Sequence, residues 1–130
     1  VGSIRNWAEA VLLWNLALDQ NGGPILTNST ELRGVLTIAR SVTQQIEPVK
    51  YNGEYYMIGH LSKFVKTGAV RIGSTNNVNG LETMAFKNLD GSKILVVCNP
   101  TDEERSFGIS SNFRTVKTSL SARSLATYMW

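Results

Sequence analysis

One cysteine, one histidine and three prolines in 130 residues leave several kinds of chemistry without materials. A lone Cys98 excludes an intrachain disulfide framework and a cysteine-built zinc site. Within the stretch 94–98 it reads as a small buried apolar side chain. His60 stands alone as well. With only scattered carboxylates around it, no metal site and no cofactor are expected, and it reads as a structural helix residue bonding across to the β-rich half. No serine lies in a G-x-S-x-G elbow and no G-x-x-x-x-G-K-[ST] loop exists, which removes serine-hydrolase and phosphate-loop chemistry. No apolar run approaches the roughly 20 residues that cross a bilayer, and no signal-peptide pattern is present. Runs of one charge are missing too. The 13 basic residues are scattered and the net charge is +3, so the clustered footprint of a nucleic-acid binder is lacking.

What remains is an ordinary globular composition, 42% hydrophobic and 18% charged. The most informative segment is 10–24, AVLLWNLALDQNGGP. Its apolar residues show no period of two, the pattern of a strand buried on both faces, as in a parallel sheet covered by helices. Trp14 and Asn15 interrupt it near its C-terminal end, where α/β barrels place ligand-binding side chains. The pattern suggests the last strand of a barrel, carrying a sugar-stacking aromatic, in a chain too short to hold the barrel.

Around this strand the elements fall in order. Residues 4–9 read as the end of a helix with Ser3 as N-cap. Residues 19–33 form a polar loop containing Gly22-Gly23-Pro24 and Asn28-Ser29-Thr30. The latter tripeptide fits both a turn and an N-glycosylation sequon. Residues 35–39 read as a short strand, and Pro48 makes 45–50 an edge or a connection. Tyr51, Tyr55, Ile58, Leu61 and Val65 recur at helical spacing, predicting a well-buried helix with Asn52 capping its start and Gly68 its end. After Gly68 the texture changes. Short β-branched runs at 70–74, 81–88, 93–99, 106–109, 115–118 and 125–130 alternate with turn residues, and Asp90-Gly91 is a hairpin signal. Strands at this spacing argue for an antiparallel sandwich. Trp7, Tyr55, Tyr56 and Trp130 read as packing aromatics rather than as a carbohydrate platform.

Five segments, in one order, also resemble glycoside hydrolase family 30, which contains the glucosylceramidases and endo-β-1,6-glucanases. They are the 10–24 stretch, then Tyr55-Tyr56-Met57-Ile58-Gly59-His60-Leu61-Ser62-Lys63-Phe64-Val65, then Gly68-Ala69-Val70-Arg71-Ile72-Gly73-Ser74. Asn88-Leu89-Asp90-Gly91-Ser92-Lys93 with Val96-Val97-Cys98-Asn99-Pro100 is the fourth, and Ser124-Leu125-Ala126-Thr127-Tyr128-Met129-Trp130 the fifth. The resemblance implies a mainly β fold. Residues 67–130 would be the C-terminal antiparallel β-sandwich of the family with one packed α-helix, and residues 1–66 the last strand and helix of a (β/α)8 barrel. In the family the sandwich also takes strands from the far N-terminus, which this chain lacks. A chain opening at Val1 rather than Met is expected to be a processed or excised fragment.

The resemblance also implies a retaining, cofactor-free parent enzyme acting on β-glucosides or β-glucans. A retaining glycosidase needs two carboxyl groups about 5–5.5 Å apart. The family's two catalytic glutamates lie on earlier barrel strands, absent here, so no catalytic residue is assigned and the chain alone is expected to be inactive. Asp102-Glu103-Glu104 reads as a solvated turn. Trp14 is carried over as the floor of the glycone subsite, with Asn15 supporting it and Asp19 as a loop residue around the same site. Gln20 and Asn21 are weaker neighbours of that site. Two alternatives stay open, a free-standing carbohydrate-binding module and a structural module self-associating through exposed strand edges. A bare 10–18 strand predicts partial disorder over residues 1–30 or dimerisation. A membrane would be met only indirectly, through a glycolipid substrate, and the compartment stays open.

Overall fold

The structure is a computed structural model describing residues 1–24, 32–39, 41, 43, 45 and 48–130. The Asn28-Ser29-Thr30 tripeptide lies outside the described residues. Two compact units are present, one of Val1–Ala10 with His60–Trp130 and one of Val11–Gly59.

The first unit is an antiparallel sandwich. Strands β4 (Val70–Ile72), β5 (Glu82–Lys87), β6 (Lys93–Asn99) and β9 (Ser124–Met129) form one sheet in the order β4-β5-β6-β9. The hairpin of β7 (Arg105–Ser111) and β8 (Arg114–Leu120) forms the other. All six runs read from the sequence after Gly68 are strands. Between the sheets lie Leu81, Ala85, Leu95, Val97 and Leu120, with Phe107, Ile109 and Tyr128 against them. The opposite face of the larger sheet buries Met84, Phe86, Ile94 and Val96 against Leu61, Phe64 and Val65. Strands β5 and β6 are therefore covered on both faces, and β6 reads as a near-continuous apolar run for that reason.

Two buried asparagines pin this unit. Asn99 Nδ2 lies 2.8–3.0 Å from the carbonyl oxygens of Glu103, Leu120 and Ser121, and its Oδ1 accepts from the Thr101 amide and hydroxyl. Asn88 Oδ1 accepts the Lys66 N–H, while its Nδ2 donates to Phe64 O and Ser92 Oγ. These bonds answer carbonyls and amides that burial would otherwise leave unpaired. The β5–β6 turn has Gly91 at φ 87°, the left-handed backbone that Asp90-Gly91 signalled. Gly68, at φ 82°, meets Leu89 so closely that a Cβ there would lie 2.9 Å from Leu89 Cδ1.

The second unit is slighter. Strands β1 (Ala17–Leu18), β2 (Leu36–Thr37) and β3 (Lys50–Tyr51) make a three-stranded sheet, β1 parallel to β2 and β3 antiparallel at the edge. Here the sequence reading is corrected in extent. The long strand predicted over residues 10–18 is two residues long, and Val11, Leu12, Trp14 and Leu16 are exposed. A strand buried on both faces needs layers above and below it. Among the described residues of this unit only Leu18, Gly34 and Val35 are buried.

Two helices complete the chain. Helix α1 (Gly2–Arg5) shares only residues 4 and 5 with the predicted 4–9; Ser3 lies inside it rather than capping it, and no side chain caps its start. Helix α2 (Gly53–Ser62) follows the predicted stripe but buries none of its residues, with Tyr55, Tyr56 and Met57 about half exposed. Asn52 precedes it as expected, but its Nδ2 donates to Gly34 O and Thr37 Oγ1, tying the helix start to β2.

Candidate functional site

The three residues singled out for substrate sit in the Val11–Gly59 unit, at different places. Trp14 is 79% exposed, its indole presented without a covering layer. Asn15 follows it through a cis peptide and accepts the Val35 N–H at its carbonyl, 3.1 Å away, beside the start of the β1–β2 pairing. Asp19 comes immediately after β1. Its Oδ1 accepts the N–H groups of Asn21 and Gly23, both at 2.8 Å, so the carboxylate organises its own turn.

Asp19 also borders an open polar cleft of about 770 Å³, lined further by Arg33, Thr37, Lys50 and Asn52; Trp14 and Asn15 are not part of that lining. The cations there were not legible in the sequence, because Arg33 and Lys50 come from segments far apart in the chain that only the fold brings together. Arg33 pairs with Glu54 at 3.3 Å, and Asn52 is committed to Gly34 and Thr37. Such a lining can hydrogen-bond hydroxyl groups. Among the described residues it does not present a pair of uncommitted carboxylates.

His60 and three of the acids make structural contacts. The Thr127 hydroxyl donates to His60 O at 3.1 Å, so the His60 Nδ1 contact to Thr127 Oγ1, at 2.9 Å, has the ring nitrogen as donor. His60 thus bonds to the sandwich as its sequence position implied. Cys98 is half-buried rather than buried; burial, then the Glu82 carboxylate, pushes its thiol up. Among the acids, Asp90 bonds Lys66, Asp102 bonds Arg123 and Glu103 pairs with Arg105. Arg71 lies over the Trp7 ring, 4.0 Å from its centroid. Among the described residues there is no cluster of three potential metal ligands.

The class defined by these strands is a mainly β chain, a six-stranded antiparallel sandwich following a short parallel strand pair. Residues 68–128 match the family model described as the glycosyl hydrolase family 30 beta sandwich domain, and the chain belongs to glycoside hydrolase family 30. It is 36% identical over 114 residues to the endo-1,6-beta-D-glucanase of Neurospora crassa, covering 80% of this chain and 23% of that protein. To the lysosomal acid glucosylceramidase of Mus musculus it is 31% identical over 130 residues, covering 98% of this chain and 23% of the relative. The solved endo-beta1,6-glucanase BT3312 superposes with a TM-score of 0.81 at 33% identity, covering 99% of this chain and 28% of that one. SrfJ from Salmonella typhimurium superposes with a TM-score of 0.77 at 27% identity, covering 90% of this chain and 25% of that one. The chain thus spans about a quarter of the length of these relatives.

Proposed function

We propose that this chain works as the C-terminal portion of a retaining β-glycosidase of the glucosylceramidase or β-1,6-glucanase kind. In this reading residues 67–130 are the sandwich that braces the catalytic barrel, and residues 1–66 supply the barrel's last strand and helix. Trp14 forms part of the glycone subsite, its indole face stacking on the C–H face of a pyranose while the sugar hydroxyls stay hydrogen-bonded. Asn15 holds the backbone beside it, and Asp19 shapes the adjoining loop. The observation that carries this reading is the exposed Trp14 immediately before a parallel strand pair, in a chain aligning almost end to end with one quarter of a glucosylceramidase. The two carboxyl groups of a retaining mechanism come, in this reading, from outside the chain. Its own Asp19, Glu54, Asp90, Asp102 and Glu103 are each already bonded within the fold.

The test is a chimera of the Neurospora crassa endo-1,6-beta-D-glucanase in which this chain replaces the matching quarter. Turnover of a β-1,6-glucan is expected from the chimera and none from the isolated chain. Trp14→Ala in the chimera is expected to lower kcat/KM about tenfold or more, the loss of one stacking contact. A folded but inert chimera, or turnover by the isolated chain that its own acids control, overturns the reading. Saturable glucan binding by the isolated chain, with an inert chimera, assigns a binding module instead.

A further inference from the structure

Three asparagines of this chain precede a glycine: Asn21, Asn52 and Asn79. A glycine has no Cβ to keep its backbone nitrogen away from the side-chain carbonyl carbon of the residue before it. Such a pair can close a five-membered ring on itself, and its surroundings decide whether it does. The three surroundings differ. Asn52 is half-buried, and its Nδ2 donates to Gly34 O at 2.8 Å and to Thr37 Oγ1 at 2.9 Å. Both bonds must break before that side chain turns toward Gly53. At Asn21 the guarded partner is the nitrogen. Gly22 N–H donates to Asp19 O at 3.1 Å, and the amides of Asn21 and Gly23 on either side bond the Asp19 carboxylate. A negative charge so close opposes removal of the Gly22 amide proton.

Asn79 has neither restraint. It is exposed, and among the described residues neither its side chain nor the Gly80 N–H has a hydrogen-bond partner. The pair fills the centre of the turn before β5, at φ 55° and 77°, closed by Leu81 N–H donating to Val78 O at 3.0 Å. We propose that Asn79 is a self-modifying site, losing its side-chain ammonia to attack by the Gly80 nitrogen and converting in water to aspartate and isoaspartate. The Gly80 nitrogen gives its proton to solvent base and bonds to Asn79 Cγ. The Cγ–Nδ2 bond then breaks, and ammonia leaves with a proton returned by solvent. One water opens the cyclic imide. Cleavage on the Cγ side leaves aspartate, and cleavage at the main-chain carbonyl leaves isoaspartate, with the chain running through Cγ. Each event consumes one water and releases one ammonia, and an anionic carboxylate replaces a neutral amide. Isoaspartate adds a methylene to the backbone of a tight turn. The next residue, Leu81, is 2% exposed and packs between the sheets with Ala85, Leu95 and Val97. The longer turn must shift Leu81 or break the Val78–Leu81 pairing, so the product loosens the sandwich. This inference stands independently of the glycosidase reading.

Incubation of the full chain in mildly alkaline buffer at body temperature, followed by peptide mass spectrometry, tests it. Conversion at Asn79 is expected to run severalfold faster than at Asn21 or Asn52. It should also outrun Asn77 in the same tryptic peptide, where β-branched Val78 crowds the attacking nitrogen. A protein isoaspartyl methyltransferase with S-adenosylmethionine should methylate the aged peptide that holds position 79. The same peptide of Asn79→Gly, whose Gly-Gly pair keeps the turn, should stay unmethylated. Freshly made Asn79→Asp supplies the charge without the methylene, and Asp-Gly suits the same turn. Its urea midpoint is therefore expected to stay near the parent's, while that of the isoaspartyl form falls. Conversion at Asn21 or Asn52 as fast as at Asn79, or an unaltered Asn79, overturns the proposal. So does an aged chain carrying isoaspartate at position 79 whose midpoint matches that of the fresh parent.

Discussion

Asn99 shows how much one buried side chain can settle. It is completely buried, and its amide nitrogen faces three carbonyl oxygens belonging to the β6–β7 turn and the end of β8. Asn99→Asp puts a carboxylate oxygen where those carbonyls need a donor, so electrostatic repulsion adds to lost hydrogen bonds. A loss of about 3 kcal/mol or more is expected, read as a lower urea midpoint, and Asn99→Ala should cost less because it adds no repulsion. Asp90 sets a pH dependence of the opposite style, on the surface. Hydrogen bonds from Lys66 Nζ and then from the Ser92 hydroxyl and amide hold its carboxyl well below its ordinary value of 3.8. Its folded-state value is depressed, so its contribution is fully present above the unfolded value and fades as pH falls below it. Solvent screening keeps that contribution small. Urea midpoints of the parent and of Asp90→Asn should therefore differ at about pH 6 and draw together below about pH 3; a constant gap would contradict the sign.

At the scale of elements, strand β7 explains why the β-rich half was legible. Its side chains alternate half-buried and exposed from Arg105 to Ser111, the period of two that a one-sided strand imposes on its sequence. The β5–β6 hairpin announced itself through Asp90-Gly91, where the turn requires left-handed backbone. Gly91 has open space around a would-be Cβ, so Gly91→Ala should cost only backbone strain, about 1–2 kcal/mol, as a shifted urea midpoint with an unchanged m value. A much larger loss would mean that the turn has a tertiary partner. Residues 10–18 behaved differently. A patternless apolar run states only that both faces want cover, and the cover comes from other segments, so its strand shrinks to Ala17–Leu18. Helix α2 carries the same lesson, since its stripe was readable while its burial depends on neighbours the stripe does not name. Of the cleft, Asp19 was visible as an acid ending an apolar run, while Trp14 lies outside its lining. Thr37 and Lys50 were not, because strand register brings them together, and Arg33 joins them from the segment before β2.

For the whole molecule, stability should be distributed as unevenly as burial. The unit of Val1–Ala10 with His60–Trp130 encloses two apolar clusters, with Ile94, Val96 and Val97 completely buried, and its longest strands pair over six or seven residues. The Val11–Gly59 unit rests on strands of two residues each and has Leu18 and Val35 as its buried hydrophobic side chains among the described residues. Apolar burial contributes about 25 cal/mol per Å², so the first unit has far more to lose on opening than the second. Local opening in the second unit then needs little free energy, whereas amides of β5, β6 and β9 become accessible only when the sandwich opens as a whole. Hydrogen exchange followed by mass spectrometry should show β1, β2 and β3 exchanging early and β5, β6 and β9 last. Ile94→Ala sharpens the test, because removing that buried side chain should cost about 2–5 kcal/mol. It should speed exchange in the sandwich strands by the corresponding factor and leave the early-exchanging β1, β2 and β3 nearly unchanged. Equal acceleration of both groups would mean that the two units open as one cooperative body.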